Sequence, residues 1–355
     1  MKESGWTQSD LAYVLGLKDT TGINAILGGR RGFSAEMAKL LATAFSQPAE
    51  MFARAQSIWE LNRAADPEPG VTARARVQTE YPLREMMKRG WFKEGSSGVE
   101  LESALCQFFN VGSLSEIPHL SHAAHRTRYD EIPPAQLAWL FRARQIAQEM
   151  PTPPYVAAKL EEAILRLAEA RSEVGGVRHV PRLLREAGVR YVVVEALPGS
   201  KIDGVCLWLN AHSPVIGMSL RYDRIDNFWF VLRHECAHVR HGHGRDAAIV
   251  DAELEENFDR DIGGEERTAN LEGAEFCVPQ KEMKSFYLRK NPLFSEIDVL
   301  AFSKRMKVHP GLAVGQLQRM TKRYDILRKY LVAVRRHLAG SMMMDGWGDV
   351  VPVEI

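Results

Sequence analysis

With 355 residues and 40.0 kDa, the chain is long enough for two or three domains, each with its own core. Its 46 Lys and Arg stand against 45 Asp and Glu, a net charge of +1, and 45% hydrophobic with 26% charged residues excludes a collagen-like, wholly disordered or histone-like chain. Charge balance over the whole leaves room for a local basic face that could meet DNA.

Met1–Gly5 has no apolar core of the signal-peptide kind. No stretch approaches the roughly 18 uninterrupted apolar residues of a membrane helix. Cys106, Cys206, Cys236 and Cys277 are dispersed and form no CxxC pair, which suits reduced thiols. The expectation is a cytoplasmic protein without a membrane partner.

The first sixty residues read as short helices. Leu11, Ala12 and Leu15 share one helical face, Ile23, Ile26 and Leu27 a second, and Met37, Leu40, Leu41 and Phe45 a third. Gly16 closes the first helix, Thr20 or Thr21 can cap the next, Gly28-Gly29 ends it, and Ser34 offers half a capping box. Turns this short suggest a helix-turn-helix module over residues 1–62. Asp66-Pro67-Glu68-Pro69-Gly70 is the clearest linker signal, and a helical linker region is expected over 63–175, broken near Gly95–Gly98, Pro133-Pro134 and Pro151–Pro154. Leu137, Leu140 and Phe141, then Leu160, Ile164 and Leu167, form its stripes.

Past residue 175 the period changes. Tyr191–Val194, Val205–Leu209 and Val215–Leu220 are apolar, β-branched runs, the last two joined by a turn at Asn210–Pro214 that suits antiparallel strands. A helix follows over about 226–241, and helices continue to about 338. The expectation is an α+β domain over 176–338, with a C-terminal tail at 339–355 that shows no readable pattern.

The chemistry lies in His234-Glu235-Cys236-Ala237-His238, an HExxH motif within the predicted helix. Histidines four apart project from one face and can share a tetrahedral metal. Glu235 sits about 100° further round the helix, where the motif places the base that takes a proton from water. The lead-in Asn227-Phe228-Trp229-Phe230-Val231-Leu232 is apolar, as for a helix buried beneath a cleft. A third ligand is needed, and His241 and Glu266 compete for the role. A regular helix holds His241 about 10 Å along the axis from His234, too far to share one ion comfortably. Glu266, in Glu266-Arg267-Thr268-Ala269-Asn270 on a second helix, has no such restriction, and Asn270 on the same face could orient a ligand. Glu266 is therefore preferred to Glu265, with His241 and His243 expected in solvent. Two imidazoles and a carboxylate favour Zn²⁺, with Mn²⁺ the other ion such donors admit. Cys236 reads as a packing residue.

Arg221–Phe230 running into the HExxH motif resembles the ImmA/IrrE group of metallopeptidases. So do Glu266–Asn270 with Phe276-Cys277-Val278-Pro279 after it, and Val314-Gly315-Gln316-Leu317-Gln318. The resemblance covers about 175 to 335. It implies a zincin-like fold and a site of His234, His238 and Glu266 with Glu235 as general base.

Gly5–Ala12 through Leu27–Arg31 and Ala42–Phe45 resembles the lambda-repressor-like (XRE) helix-turn-helix, especially that of HigA-type antitoxins. In such a module the second helix enters the major groove by its N-terminal end. The resemblance thus places Thr20, Thr21 and Asn24 near base edges, and Lys18, Arg30 and Arg31 at phosphates. Pro82–Phe92 also looks like a segment of HigA–peptidase fusions, and reads physically as an amphipathic connecting helix with solvated Arg and Lys.

The fold class expected is multidomain: an all-α helix-turn-helix domain, a helical middle region and an α+β zincin-like C-terminal domain. The expected function is a DNA-binding regulator or antitoxin-like protein, a homodimer on a double-stranded operator, whose zinc endopeptidase domain cleaves a partner repressor or antitoxin. The alternative is a regulator that binds DNA and a partner protein such as a toxin, cuts nothing, and uses the metal-site domain as a sensor or binding surface.

Overall fold

The structure, a computed structural model, describes residues 5–67, 71, 75, 77–79, 81–92, 98–113, 132–245, 247–254, 263–338, 342, 344–347 and 349–351. Most of the expected linker signal, at 68–70, and of the break at Gly95 lies outside the described residues. The chain divides into two compact units, Met1–Glu68 and Pro69–Ile355.

In the first unit, a reciprocal capping box opens α1 (Gln8–Val14): the Thr7 amide donates to Asp10 at 2.8 Å and the Asp10 amide donates to the Thr7 hydroxyl at 3.2 Å. Helix α2 (Thr21–Leu27) starts differently from the expectation, because neither expected threonine caps it by its side chain; the carboxylate of Asp19 accepts from the Thr21 amide at 2.8 Å. Ser34 caps α3 (Ala35–Phe45) as a half box, accepting from Met37 at 3.3 Å. Helix α4 (Ala49–Arg63) is fixed to the α2–α3 turn by Gln56, whose Oε1 accepts from the Phe33 amide at 2.9 Å. Leu11, Ala12, Leu15, Ile23 and Leu41 form the core, with Trp6, Phe33, Met37, Phe45 and Phe52 packed on it. Leu27 and Leu40, expected on inward faces, are exposed.

The second unit is helical around a six-stranded mixed sheet. Before the sheet come α5 (Leu83–Lys88), α6 (Gly98–Phe109), α7 (Pro134–Glu149), α8 (Ala157–Ala170) and α9 (Val180–Glu186). Strands β1 (Arg190–Val194), β2 (Ile202–Trp208) and β3 (Pro214–Met218) lead into α10 (Ile225–His241), β4 (Ile249–Ala252) and α11 (Gly264–Cys277). Helices α12 (Gln280–Lys290), α13 (Glu296–Met306), α14 (Pro310–Thr321) and α15 (Arg335–Leu338) precede β5 (Met344–Gly346) and β6 (Asp349–Val351). The strand order is β4-β2-β3-β1-β5-β6. Strand β1 runs parallel to β3 and β5, whereas β2 runs antiparallel to both β3 and β4.

Both faces of this sheet are covered, which is why the strands read as continuous apolar runs rather than alternating ones. Tyr191, Val193, Cys206, Ile216 and Met218 enter a core with α8, α9, α10 and α14. Val192, Val194, Val205, Leu207 and Val215 enter a second core with α6 and α7. The indole of Trp139 on α7, fully buried, donates to the Val194 carbonyl at 2.8 Å.

Three expectations are corrected here. The expected linker region does not end as a separate piece near residue 175, because α6 and α7 cover one face of the sheet and α8 packs on the other within one unit. Within it Arg89 is buried rather than solvated, donating to the carbonyls of Glu195 at 2.6 Å and Ala196 at 3.1 Å. The expected tail contains β5 and β6, which extend the sheet beyond β1, and Asp345 on β5 is buried in an ion pair with Arg142 of α7. No described helix is long and apolar enough to cross a membrane.

Candidate metal centre

Helix α10 is buried along almost its whole length, and Gly242 ends it in the left-handed conformation, φ 73°, that a residue without a Cβ adopts at no steric cost. Its neighbour across the motif is α11, and between them reaches the edge strand β4. These three elements deliver four donors, from His234, His238, Asp251 and Glu266, whose ligand atoms all lie within 4.8 Å of one another.

The spacing of those donors is that of a coordination shell. His234 Nε2 is 3.0 Å from His238 Nε2, 3.3 Å from Asp251 Oδ2 and 3.4 Å from Glu266 Oε2. His238 Nε2 is 3.5 Å from Glu266 Oε1 and 3.9 Å from Asp251 Oδ2. Zinc bonds of about 2.0–2.2 Å in a tetrahedron set donors roughly 3.3–3.6 Å apart, and separations of 3.0–3.9 Å bracket that range, so these residues could hold such an ion. A second observation points the same way: Asp251 Oδ2 and both carboxylate oxygens of Glu235 are buried without a hydrogen-bond partner. Buried carboxyl oxygens left this way call for a cation or a proton.

Electrostatics inside the cluster follow from three carboxylates and two imidazoles in a buried space. Burial opposes a charged His234, but Asp251 and Glu266 outweigh it and push the ring up to about 9. Burial also works against an ionised Glu266, yet the hydrogen bonds and charges of His234 and His238 hold its carboxyl well below the usual range. Glu235 is pushed well above its ordinary value by burial first, then by Asp251 and Glu266. Burial pushes the Cys236 thiol up to about 12, which suits packing rather than nucleophilic work.

Partners behind the donors fix their orientation. Asn270, buried on α11 one turn beyond Glu266, accepts through Oδ1 from His234 Nδ1 at 3.1 Å, leaving Nε2 bare toward the centre. His243, placed in solvent by sequence, instead stands with Nδ1 3.0 Å from Nδ1 of His238. Burial lowers His243, so its neutral ring can accept from His238. His241 is at the exposed helix end, 2.7 Å from Glu272 and away from the donors.

Asp251 and Gly204 are the residues that sequence reading missed. Strand β4 pairs with β2 so that Asp251 lies opposite Gly204, after a register shift between Ile202 and Gly204. A Cβ on Gly204 would fall 2.1 Å from Glu235 Oε1, so the glycine leaves the room in which Glu235 sits. An acidic residue inside the otherwise apolar Ile249-Val250-Asp251-Ala252 was the available signal. Beside β4 and the end of α10 opens a cleft of about 690 Å³, lined in part by His243, Ile249, Val250 and Glu265.

In the first unit, Lys18, Thr21, Arg30 and Arg31 are exposed, while Thr20 and Asn24 are half-buried. The Asn24 amide nitrogen lies 3.5 Å from the Thr20 hydroxyl, at the limit of a hydrogen bond, within the first turn of α2. No protein-family model matches the chain, and no curated protein matches it either.

Proposed function

We propose that the protein is a zinc-dependent endopeptidase of the zincin type, resembling the ImmA/IrrE group, that carries a lambda-repressor-like DNA-binding head. The observation that supports it most is the convergence of His234, His238 and Glu266 around one point with Glu235 on the same helix. His234, His238, Asp251 and Glu266 would hold the ion. When bound, Zn²⁺ supplies a Lewis acid that polarises a peptide carbonyl and makes water nucleophilic near neutral pH. Glu235 takes the proton from the attacking water and passes it to the leaving nitrogen, a role suited to a carboxyl raised by burial. Asn270 and His243 keep the imidazoles aimed, and Gly204 leaves the space in which Glu235 turns. The cleft beside β4 offers room for an extended peptide.

In the head, Thr20, Thr21 and Asn24 would face base edges and Lys18, Arg30 and Arg31 phosphates, in a homodimer on an operator with two half-sites. The substrate would be a partner repressor or antitoxin. The second reading is a regulator that binds DNA and a partner but cuts nothing, and the observation in its favour is Asp251, which fills a position that a catalytic centre leaves to water. Glu235→Gln separates the two. It should retain the bound ion and abolish cleavage of the partner; unchanged cleavage by this variant would exclude Glu235 as the base.

A further inference from the structure

We infer that Asp251 is a fourth protein ligand that closes the coordination sphere, so that the resting centre has no site for water until Asp251 leaves. The inference rests on the reading of the cluster as a metal centre and concerns its resting state.

Asp251 would supply the fourth donor. Its Oδ2 lies 3.3 Å from His234 Nε2 and 3.9 Å from His238 Nε2, while the two Glu266 oxygens lie 3.4 Å and 3.5 Å from the same nitrogens. Three protein ligands and an open corner characterise a catalytic zinc site, whereas four characterise a closed one. Asp251 is 5% exposed, and its Oδ2, without a conventional hydrogen bond, has the two imidazole Nε2 atoms beside it.

The backbone explains how it comes to be there. Residues alternate across β2, where Val205 and Leu207 turn to the α7 side and Cys206 to the α10 side. Asp251, opposite Gly204, therefore falls on the α10 side, and the missing side chain at Gly204 lets the Asp251 and Glu235 carboxyls share one space. The strand is then fastened just past Asp251. The Glu253 amide donates to the Lys201 carbonyl at 3.1 Å, the Lys201 and Glu253 side chains pair, and the Leu254 amide donates to the buried Asp203 carboxylate at 2.9 Å. Strand β4 has four residues, lies at the edge of the sheet and pairs with β2 alone, so parting it from β2 would break these fastenings but no other strand pairing. Asp251 thus shields the ion from water and crowds Glu235 at once, and opening frees both.

The test uses the full chain loaded with Co²⁺, whose visible spectrum reports coordination, with azide as a small anion that binds only at an open corner. Wild type should hold Co²⁺ and show no spectral change on adding azide. Asp251→Ala and the isosteric Asp251→Asn should still hold Co²⁺, with affinity lower by tenfold or more, and should shift their spectra with azide at concentrations at least tenfold below any that affect wild type. Equal azide binding by wild type and both variants, with unchanged Co²⁺ affinity, would overturn the inference while leaving the metal centre intact. Failure of wild type to bind Co²⁺ at all, matching His234→Ala, would remove the metal reading itself and the inference with it.

Discussion

Asn270 touches no expected substrate atom, yet its Oδ1 sets which nitrogen of His234 faces the centre. Loss of such a partner typically weakens metal affinity about 10–100-fold. Asn270→Ala should show that loss in competition with a chelator while the helix content stays that of wild type; an unchanged affinity would mean that His234 is held by packing alone. The protonation of His234 gives a second expectation. Burial disfavours its charge, but Asp251 and Glu266 raise it to about 9, so below that pH a bound ion must displace a proton. Apparent affinity should therefore fall as pH is lowered from about 9, by about tenfold per unit for each proton displaced, and level off above it. A flat profile measured by chelator competition would contradict the charge pattern of the cluster. The residues legible in the sequence were those that a single helix brings together: His234, Glu235 and His238 by spacing, and Glu266 with Asn270 by the same rule on α11. Asp251 and Gly204 depend on the pairing of β4 with β2, which no local pattern fixes. His243 was misread because it follows the helix end, where Gly242 turns the chain back toward His238.

At the level of elements, β1, β2, β3 and α10 were legible because each is a run long enough to show its character. Strands β4, β5 and β6 have three or four residues and were not, since runs so short carry no period of their own. Helix α7 is legible as a helix but not as part of the sheet's covering layer. Eight of its residues are buried, Leu137 to Phe141, Ala143, Ile146 and Ala147, so it lacks the one-sided stripe of a surface helix. Trp139 links it to β1 by both packing and a hydrogen bond. Trp139→Ala should destabilise the second unit by about 3–5 kcal/mol in denaturant unfolding, through the cavity and the lost contacts. A change near zero would mean that α7 is a dispensable cover.

Over the whole molecule, the two units divide the proposed labour, since the exposed basic residues Lys18, Arg30 and Arg31 lie in Met1–Glu68 and all four metal donors in Pro69–Ile355. Neither unit is strongly charged as a whole, so any contact with DNA would rest on the local placement of those exposed cations. Everything proposed for the second unit depends on an ion at its centre: the use of Glu235, the closure by Asp251 and the compensation of buried carboxylates. The most direct measurement is the metal content of the purified full chain, with His234→Ala and Glu266→Ala prepared alongside. The expected result is stoichiometric zinc in wild type and its loss from both variants. A wild type that stays metal-free even when zinc is supplied would contradict the metal centre and with it the peptidase.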